Sequence, residues 1–154
     1  MTLPLHNNVR WRAAVAMAVA LLCTATTAQA LTAYQWKKRA LIVFAPSASD
    51  ARLARQKTIV GGFRPAFLDR DVVVVYVAGG EATHDLGPPP GISAGALRSQ
   101  FRVSEGAFRV LLIGKDGGVK IDSPAPIAAL DLFAEIDRMP MRRDEMKKRA
   151  TDRP

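Results

Sequence analysis

The 154-residue chain has one cysteine and two histidines, and these shortages exclude more chemistry than any motif supplies. Cys23 closes an apolar run that starts at Ala13, follows Arg10 and Arg12, and leads into small and polar residues ending Ala28-Gln29-Ala30. A basic start, a short apolar segment and small residues at the two positions a signal peptidase inspects form the pattern of a secretory signal. The run falls short of the ~20 residues a membrane-spanning helix needs, which argues against an uncleaved anchor. Leu22, directly before Cys23, is not the small residue that a lipidation signal requires. Cleavage after Ala30 would leave Leu31 to Pro154 with no thiol, excluding a disulfide, a thiolate nucleophile and a cysteine metal site from the mature chain. His6 precedes that cut as well, so His84 would be the sole imidazole. Neither a multi-histidine metal site nor a Ser-His-Asp triad then has its material.

A glycine-rich nucleotide fingerprint is also missing, because Gly79-Gly80 lacks the spacing of a dinucleotide site or a phosphate loop. No cofactor is expected. After residue 30 no further membrane-spanning segment is expected either.

What the chain does have is positive charge. Its 22 basic and 14 acidic residues give +8, and setting aside Arg10 and Arg12 leaves 20 against 14, or +6. Arg138 to Pro154 holds seven of the basic and three of the acidic residues, a net +4. An exported protein meets anionic lipids, acidic polymers or an acidic protein face rather than nucleic acid. Arg142 and Arg143 are therefore candidate contacts for an envelope protein or an anionic ligand, against the simpler reading of a solvated tail. The chain divides into a leader over 1–30, one domain over 31–137, and a basic helix and tail over 138–154.

Within the domain, Leu31, Tyr34 and Trp36 are expected to lay apolar side chains on the core, Trp36 as a packing anchor, before Lys37, Lys38 and Arg39 return to water. ALIVFA, Ala40 to Ala45, reads as a strand buried on both faces. Pro46 breaks it, and Ser49 or Asp50 offers the N-cap of a helix through Leu53, Gln56, Ile59 and Val60. Sites in open α/β sheets tend to lie at the C-terminal ends of strands. Ser47, Ser49 and Asp50 are thus candidate anion-binding residues as well as capping residues.

Gly61-Gly62 and Pro65 end or kink that helix. The four valines of VVVVYV, Val72 to Val77, suit a pleated surface, and Asp69-Arg70-Asp71 marks its solvated start. Ala78 to Ile92, with four glycines and three prolines, reads as a long exposed loop containing a solvated His84. A short helix follows, capped by Ser93 and packing through Leu97 and Phe101. FRVLLIGKDGGVK, Phe108 to Lys120, then carries the strongest local signal, a hairpin whose turn takes positive φ at Asp116 and Gly117. It is expected at the centre of the sheet, with Lys115 and Asp116 serving the turn and Lys120 in solvent. Ile127, Leu130, Phe133 and Ile136 form one helical stripe, Met139-Pro140-Met141 interrupts it, and a last helix restarts with Met146 as its main apolar contact.

Strand, helix, strand, helix, two-stranded hairpin and helix is a βαβ unit joined to a ββα unit. That is the thioredoxin-like α/β arrangement, a four-stranded mixed sheet with helices on both faces. The segments ALIVFAPSASD, RDVVVVYV, FRVLLIGKDGGVK and LFAEIDRMPMRRDEM resemble a family of bacterial exported proteins. That family is similar to modules of animal sushi-repeat proteins and of a coiled-coil-containing matrix protein, and has been compared with peroxiredoxins. The resemblance covers nearly all of Tyr34 to Met146 and implies a fold and a compartment without a reaction.

The departures from redox relatives bear on chemistry. Where thioredoxins follow Ala-Pro with Cys-x-x-Cys, this chain follows Ala45-Pro46 with Ser47-Ala48-Ser49-Asp50. The resemblance puts Arg109 where peroxiredoxins keep an arginine that helps their cysteine, and here there is no cysteine to help. A serine without a general base does not substitute for a thiolate. The sequence therefore points to a non-catalytic partner-binding module. A non-thiol enzyme built on Ser47, Ser49 and Arg109, or an anion-binding module built on the basic C-terminus, stands as the alternative.

Overall fold

The computed structural model describes residues 31–87, 91 and 93–152, and the expected leader lies outside them. The elements are β1 (Arg39–Ala45), α1 (Ala51–Gly62), α2 (Arg64–Asp69), β2 (Val72–Ala78), β3 (Glu81–Leu86), α3 (Ala94–Phe101), β4 (Arg109–Ile113), β5 (Val119–Ser123), α4 (Ala129–Arg138) and α5 (Pro140–Thr151). They form an α/β fold around one mixed sheet of five strands in the order β3-β2-β1-β4-β5. β1 and β2 are parallel, and the other pairs are antiparallel. Among the described residues no helix is long and apolar enough to cross a membrane.

The fifth strand corrects the four-strand expectation. β3 occupies part of the segment read as loop, because Gly79, at φ 55, and Gly80 close a two-residue turn that pairs Ala78 with Glu81. EATHDL hides its strand character: on an open edge only Leu86 is buried, so the apolar alternation of a half-covered strand is absent. The centre of the sheet is also not the hairpin. β1 holds that place, with all seven residues buried, and β4 lies beside it. The hairpin loop runs over Gly114 to Gly118, with positive φ at Gly117 and not at Asp116. Asp116 serves the turn by accepting from the Gly118 amide at 3.1 Å.

Two apolar layers follow from the two-residue period of β1 and β2. Leu41, Val43, Val74 and Tyr76 face Leu53 and Val60 of α1, Phe67 of α2, and Leu132, Phe133 and Ile136 of α4. Ala40, Ile42, Phe44, Val73 and Val75 face Tyr34 and Leu97 of α3. At about 25 cal/mol per Å2 of apolar surface, these layers supply most of the drive to fold. α1 ends where the two glycines lower helix propensity, and Pro65 starts α2 in the first turn, where its missing N–H costs nothing.

The stripe of α4 is phased differently from expectation. Ala129, Leu132, Phe133 and Ile136 are buried, whereas Leu130 is 70% exposed. The helix begins at Ala129 rather than Ile127, and positions i, i+3, i+4 and i+7 from that start form the inward face. In α5, which Pro140 opens, the buried residue is Arg142 and not Met146, so charge rather than apolar contact docks this helix.

Candidate functional site

At the C-terminal end of β1 the polar groups satisfy one another. Asp50 caps α1 by accepting from the Arg52 amide at 2.8 Å and holds the Arg52 guanidinium at 2.6 Å. These contacts, the Arg52 side chain first, lower its carboxyl to a pKa of about 2. The Ser47 and Ser49 hydroxyls lie 3.0 Å apart and exposed. Arg109 stands opposite Phe44, near the same end of the sheet, but it forms a two-pronged pair with Asp122 on β5, with Nε 2.9 Å from Oδ1. No hydrogen bond or ion pair among the described residues joins Arg109 to either serine, and no base stands against them.

His84 is exposed on β3. Its neighbour Asp85 turns to the other face, binding Arg64 at 2.5 Å and the Tyr76 hydroxyl at 3.4 Å. Successive strand residues point apart, so the two make no acid/base pair.

The opposite end of β1 carries an ion network where solvated charge is expected from the sequence. Arg39 is 0% exposed. It donates to the Arg70 carbonyl at 2.8 Å and to both oxygens of Glu145, at 3.3 and 3.1 Å. Lys115, also buried, bridges Asp71 at 2.9 Å and Glu145 at 2.7 Å, so it ties the hairpin loop to α5 rather than serving the turn alone. Lys38 reaches Asp71 at 2.9 Å.

Arg142, expected as a surface cation, is buried and donates to the Asp69 carboxylate at 2.6 Å, the Asp69 carbonyl at 3.0 Å and Asp137 at 3.2 Å. Asp137 also accepts a bidentate pair from Arg70, at 3.0 and 2.7 Å, and Arg149 closes on Asp69. Arg143 stays exposed, with no side-chain partner among the described residues. A buried guanidinium or ammonium is tolerable only when paired and hydrogen-bonded, and here four carboxylates meet that demand.

Burial works against the charge of Asp69, Asp71, Asp137 and Glu145, and their Arg and Lys partners outweigh it. All four carboxyls lie below their ordinary values, Asp69 held by Arg142 and Arg149 and Asp71 by Lys115 and Lys38. The network was partly readable. Arg142, Glu145 and Arg149 fall at i, i+3 and i+7, one face of a helix, and that face is charged rather than apolar.

Against this network lies an open cleft of about 430 Å3, bounded by the residue 31–37 turn, the β4–β5 loop and the α4–α5 junction. Trp36, Met139, Pro140 and Met141 line it together with Arg39 and Lys115. Trp36 is not the expected packing anchor, since it is 64% exposed at φ 65. For an L-residue that conformation costs about 1–2 kcal/mol. The Trp36 amide, donating to the Lys115 carbonyl at 2.6 Å, holds the residue there, and the Lys38 amide closes the turn on the Tyr34 carbonyl at 2.7 Å. Non-glycine residues kept in this region are over-represented at ligand sites. On the rim, Lys120 is not free in solvent but pairs with Asp116 at 2.6 Å, and Arg138 pairs with Glu135.

Comparison with known proteins agrees with the resemblance read from the four segments. Over 138 residues the chain is 30% identical to coiled-coil domain-containing protein 80 of Danio rerio, an alignment covering 75% of this chain and 15% of that protein. The chain thus corresponds to a small part of that relative's length. No solved structure matches it. Residues 30–145 match the profile of a family described as a domain of unknown function, DUF4174. That span takes in every strand, the cleft, and the ion network as far as Glu145, and the chain belongs to the DUF4174 family.

Proposed function

We propose that the protein is an exported binding module of thioredoxin-like descent, without redox cysteines, that docks a protein partner rather than catalysing a reaction. Export rests on the leader-like sequence before Leu31. The thioredoxin-like reading rests on the parallel β1–β2 pair followed by the antiparallel β4–β5 hairpin, with β3 as an added edge strand. The observation that carries the binding reading is Trp36, a large indole left exposed in a strained backbone on the wall of an open cleft. Aromatic side chains are enriched among the anchors of protein interfaces.

The rival sites have less in their favour. Asp50 and Arg109 are occupied by Arg52 and Asp122, and of the basic end Arg142 is committed internally while Arg143, Lys147 and Lys148 remain exposed. The test immobilises the full chain and its Trp36→Ala variant and compares what each retains from an envelope extract. A protein retained by the first and lost from the second is expected. Identical capture by both, or hydrolysis of any ester or phosphoester that disappears in Ser47→Ala, overturns the reading.

A further inference from the structure

Resting on the docking reading above, we infer that Met141 is an oxidation switch on the Trp36 cleft: conversion of its thioether to the sulfoxide turns part of an apolar lining polar and weakens docking. After residue 30 the oxidisable sulfur of the chain belongs to methionine alone, since Cys23 comes before that point and Met139, Met141 and Met146 come after it. Met139 and Met141 line the cleft, and Met146 does not. Export, as proposed, carries these thioethers into an oxidising compartment.

Solvent access separates the two methionines of the cleft. Met139 is 9% exposed and belongs to the apolar layer that holds Phe133 and Ile136, whereas Met141 is 37% exposed. Oxidation follows exposure, so Met141 reacts before Met139. That order protects the fold. A sulfoxide at Met139 would set a polar group in the core, at the cost of burying it without a partner. Met141 lies in the first turn of α5, which Pro140 opens and the Arg143 amide anchors by donating to the Met139 carbonyl at 3.1 Å. Oxidation of the Met141 side chain leaves those backbone contacts in place.

The oxidant is a peroxide. Its O–O bond breaks, one oxygen forms the S–O bond on the thioether lone pair, and the other leaves as water; sulfur is oxidised and the peroxide reduced. The S–O dipole then stands beside Trp36, Met139 and Pro140 in the lining, and an apolar partner surface that covers Met141 has to strip it of water. A methionine sulfoxide reductase drawing electrons from a thiol removes the oxygen as water, so the change is reversible.

The test treats the full chain, carrying Cys23→Ser to remove the thiol, with hydrogen peroxide. Peptide mass spectrometry times each methionine, and capture of the Trp36-dependent protein from the envelope extract reads docking. Met141 and Met146 are expected to oxidise before Met139, with circular dichroism unchanged and capture weakened about ten-fold, the scale of desolvating one polar group. Methionine sulfoxide reductases with dithiothreitol should restore capture. Met141→Leu, which conserves volume, should keep capture through peroxide treatment, and Met146→Leu should not protect it. Met141 oxidising no faster than Met139, or capture falling equally in Met141→Leu after peroxide, overturns the switch. Capture that needs Trp36 yet ignores oxidised Met141 also removes the switch and leaves the docking reading standing. If capture ignores Trp36, the docking reading falls and the switch falls with it.

Discussion

Glu145→Gln is expected to destabilise the fold by about 3 kcal/mol, far more than a glutamate on a basic terminal helix would seem to allow. Glu145 accepts both Arg39 Nη atoms at 3.3 and 3.1 Å and Lys115 at 2.7 Å, and neither cation can turn to water. Breaking a buried pair from one side costs about 3–5 kcal/mol because the surviving charge is stranded. Two features hold the figure to the lower end: the Glu145 side chain is 20% exposed, and Lys115 keeps Asp71. Glutamine offers one carbonyl oxygen but turns its own N–H groups toward the cations.

The reverse change is expected to be mild. Arg39→Met fills the same space, removes the unmatched Nε and strands no buried cation, while Glu145 keeps Lys115. The lost bond to the Arg70 carbonyl limits the cost to about 1 kcal/mol. The double variant should cost little more than Arg39→Met alone. Urea unfolding followed by circular dichroism reads all three. With an m-value of about 1.5 kcal/mol/M, Glu145→Gln lowers the midpoint by about 2 M. Equal losses in the two single variants, or a Glu145→Gln loss below about 0.5 kcal/mol, would refute the argument that buried cations set the asymmetry.

Acid should unfold the protein through the same network. The carboxyls of Asp69, Asp71, Asp137 and Glu145 sit below their ordinary values when folded, so their contribution is complete above the unfolded values near pH 4 and drains away as pH falls through the folded ones. Urea midpoints that were flat from pH 6 down to about 2.5 would contradict this. Arg98 is buried and donates to the Ala45 and Ser104 carbonyls, both at 2.7 Å, so Arg98→Met should cost about 1–2 kcal/mol by the same urea assay, with Ala45 still accepting from Gly79. Gly87→Ala places a Cβ 2.4 Å from a Val73 methyl at φ +84, and a loss of at least about 2 kcal/mol is expected in thermal unfolding. Asp50→Ala removes the α1 cap and should lower the urea midpoint, whereas Ser47→Ala should be near neutral; a larger effect from the serine would mean that it does more than its exposure indicates.

Local chemistry was legible wherever a residue's conformation depends on its neighbours in sequence. Ala40 to Ala45 and Val72 to Val77 are strands because continuous β-favouring apolar runs fit a sheet covered on both faces, and Asp50, Ser93 and Pro140 start helices where they stand. β3 was missed because an edge strand needs no apolar period, and its pairing comes from β2 rather than from EATHDL itself. Leu130 was misplaced because a helical stripe admits neighbouring phases, and the sheet beneath selects one.

The candidate site divides along the same line. Composition by itself removed thiol and multi-histidine chemistry from the segment after residue 30, since residues that are absent cannot be supplied by folding. It also located the positive charge, though not its neutralisation. Arg39, Asp71, Lys115, Arg142 and Glu145 are scattered over more than a hundred positions, and only the stacking of the hairpin loop, the α2–β2 turn and α5 at one end of β1 brings them within hydrogen-bonding distance. That closeness turns a chain of apparently solvated charges into a buried network, because Coulomb attraction and desolvation act through space and not along the sequence. Trp36 went the opposite way, from expected core to exposed wall, because its backbone is fixed by a carbonyl 79 residues downstream at Lys115.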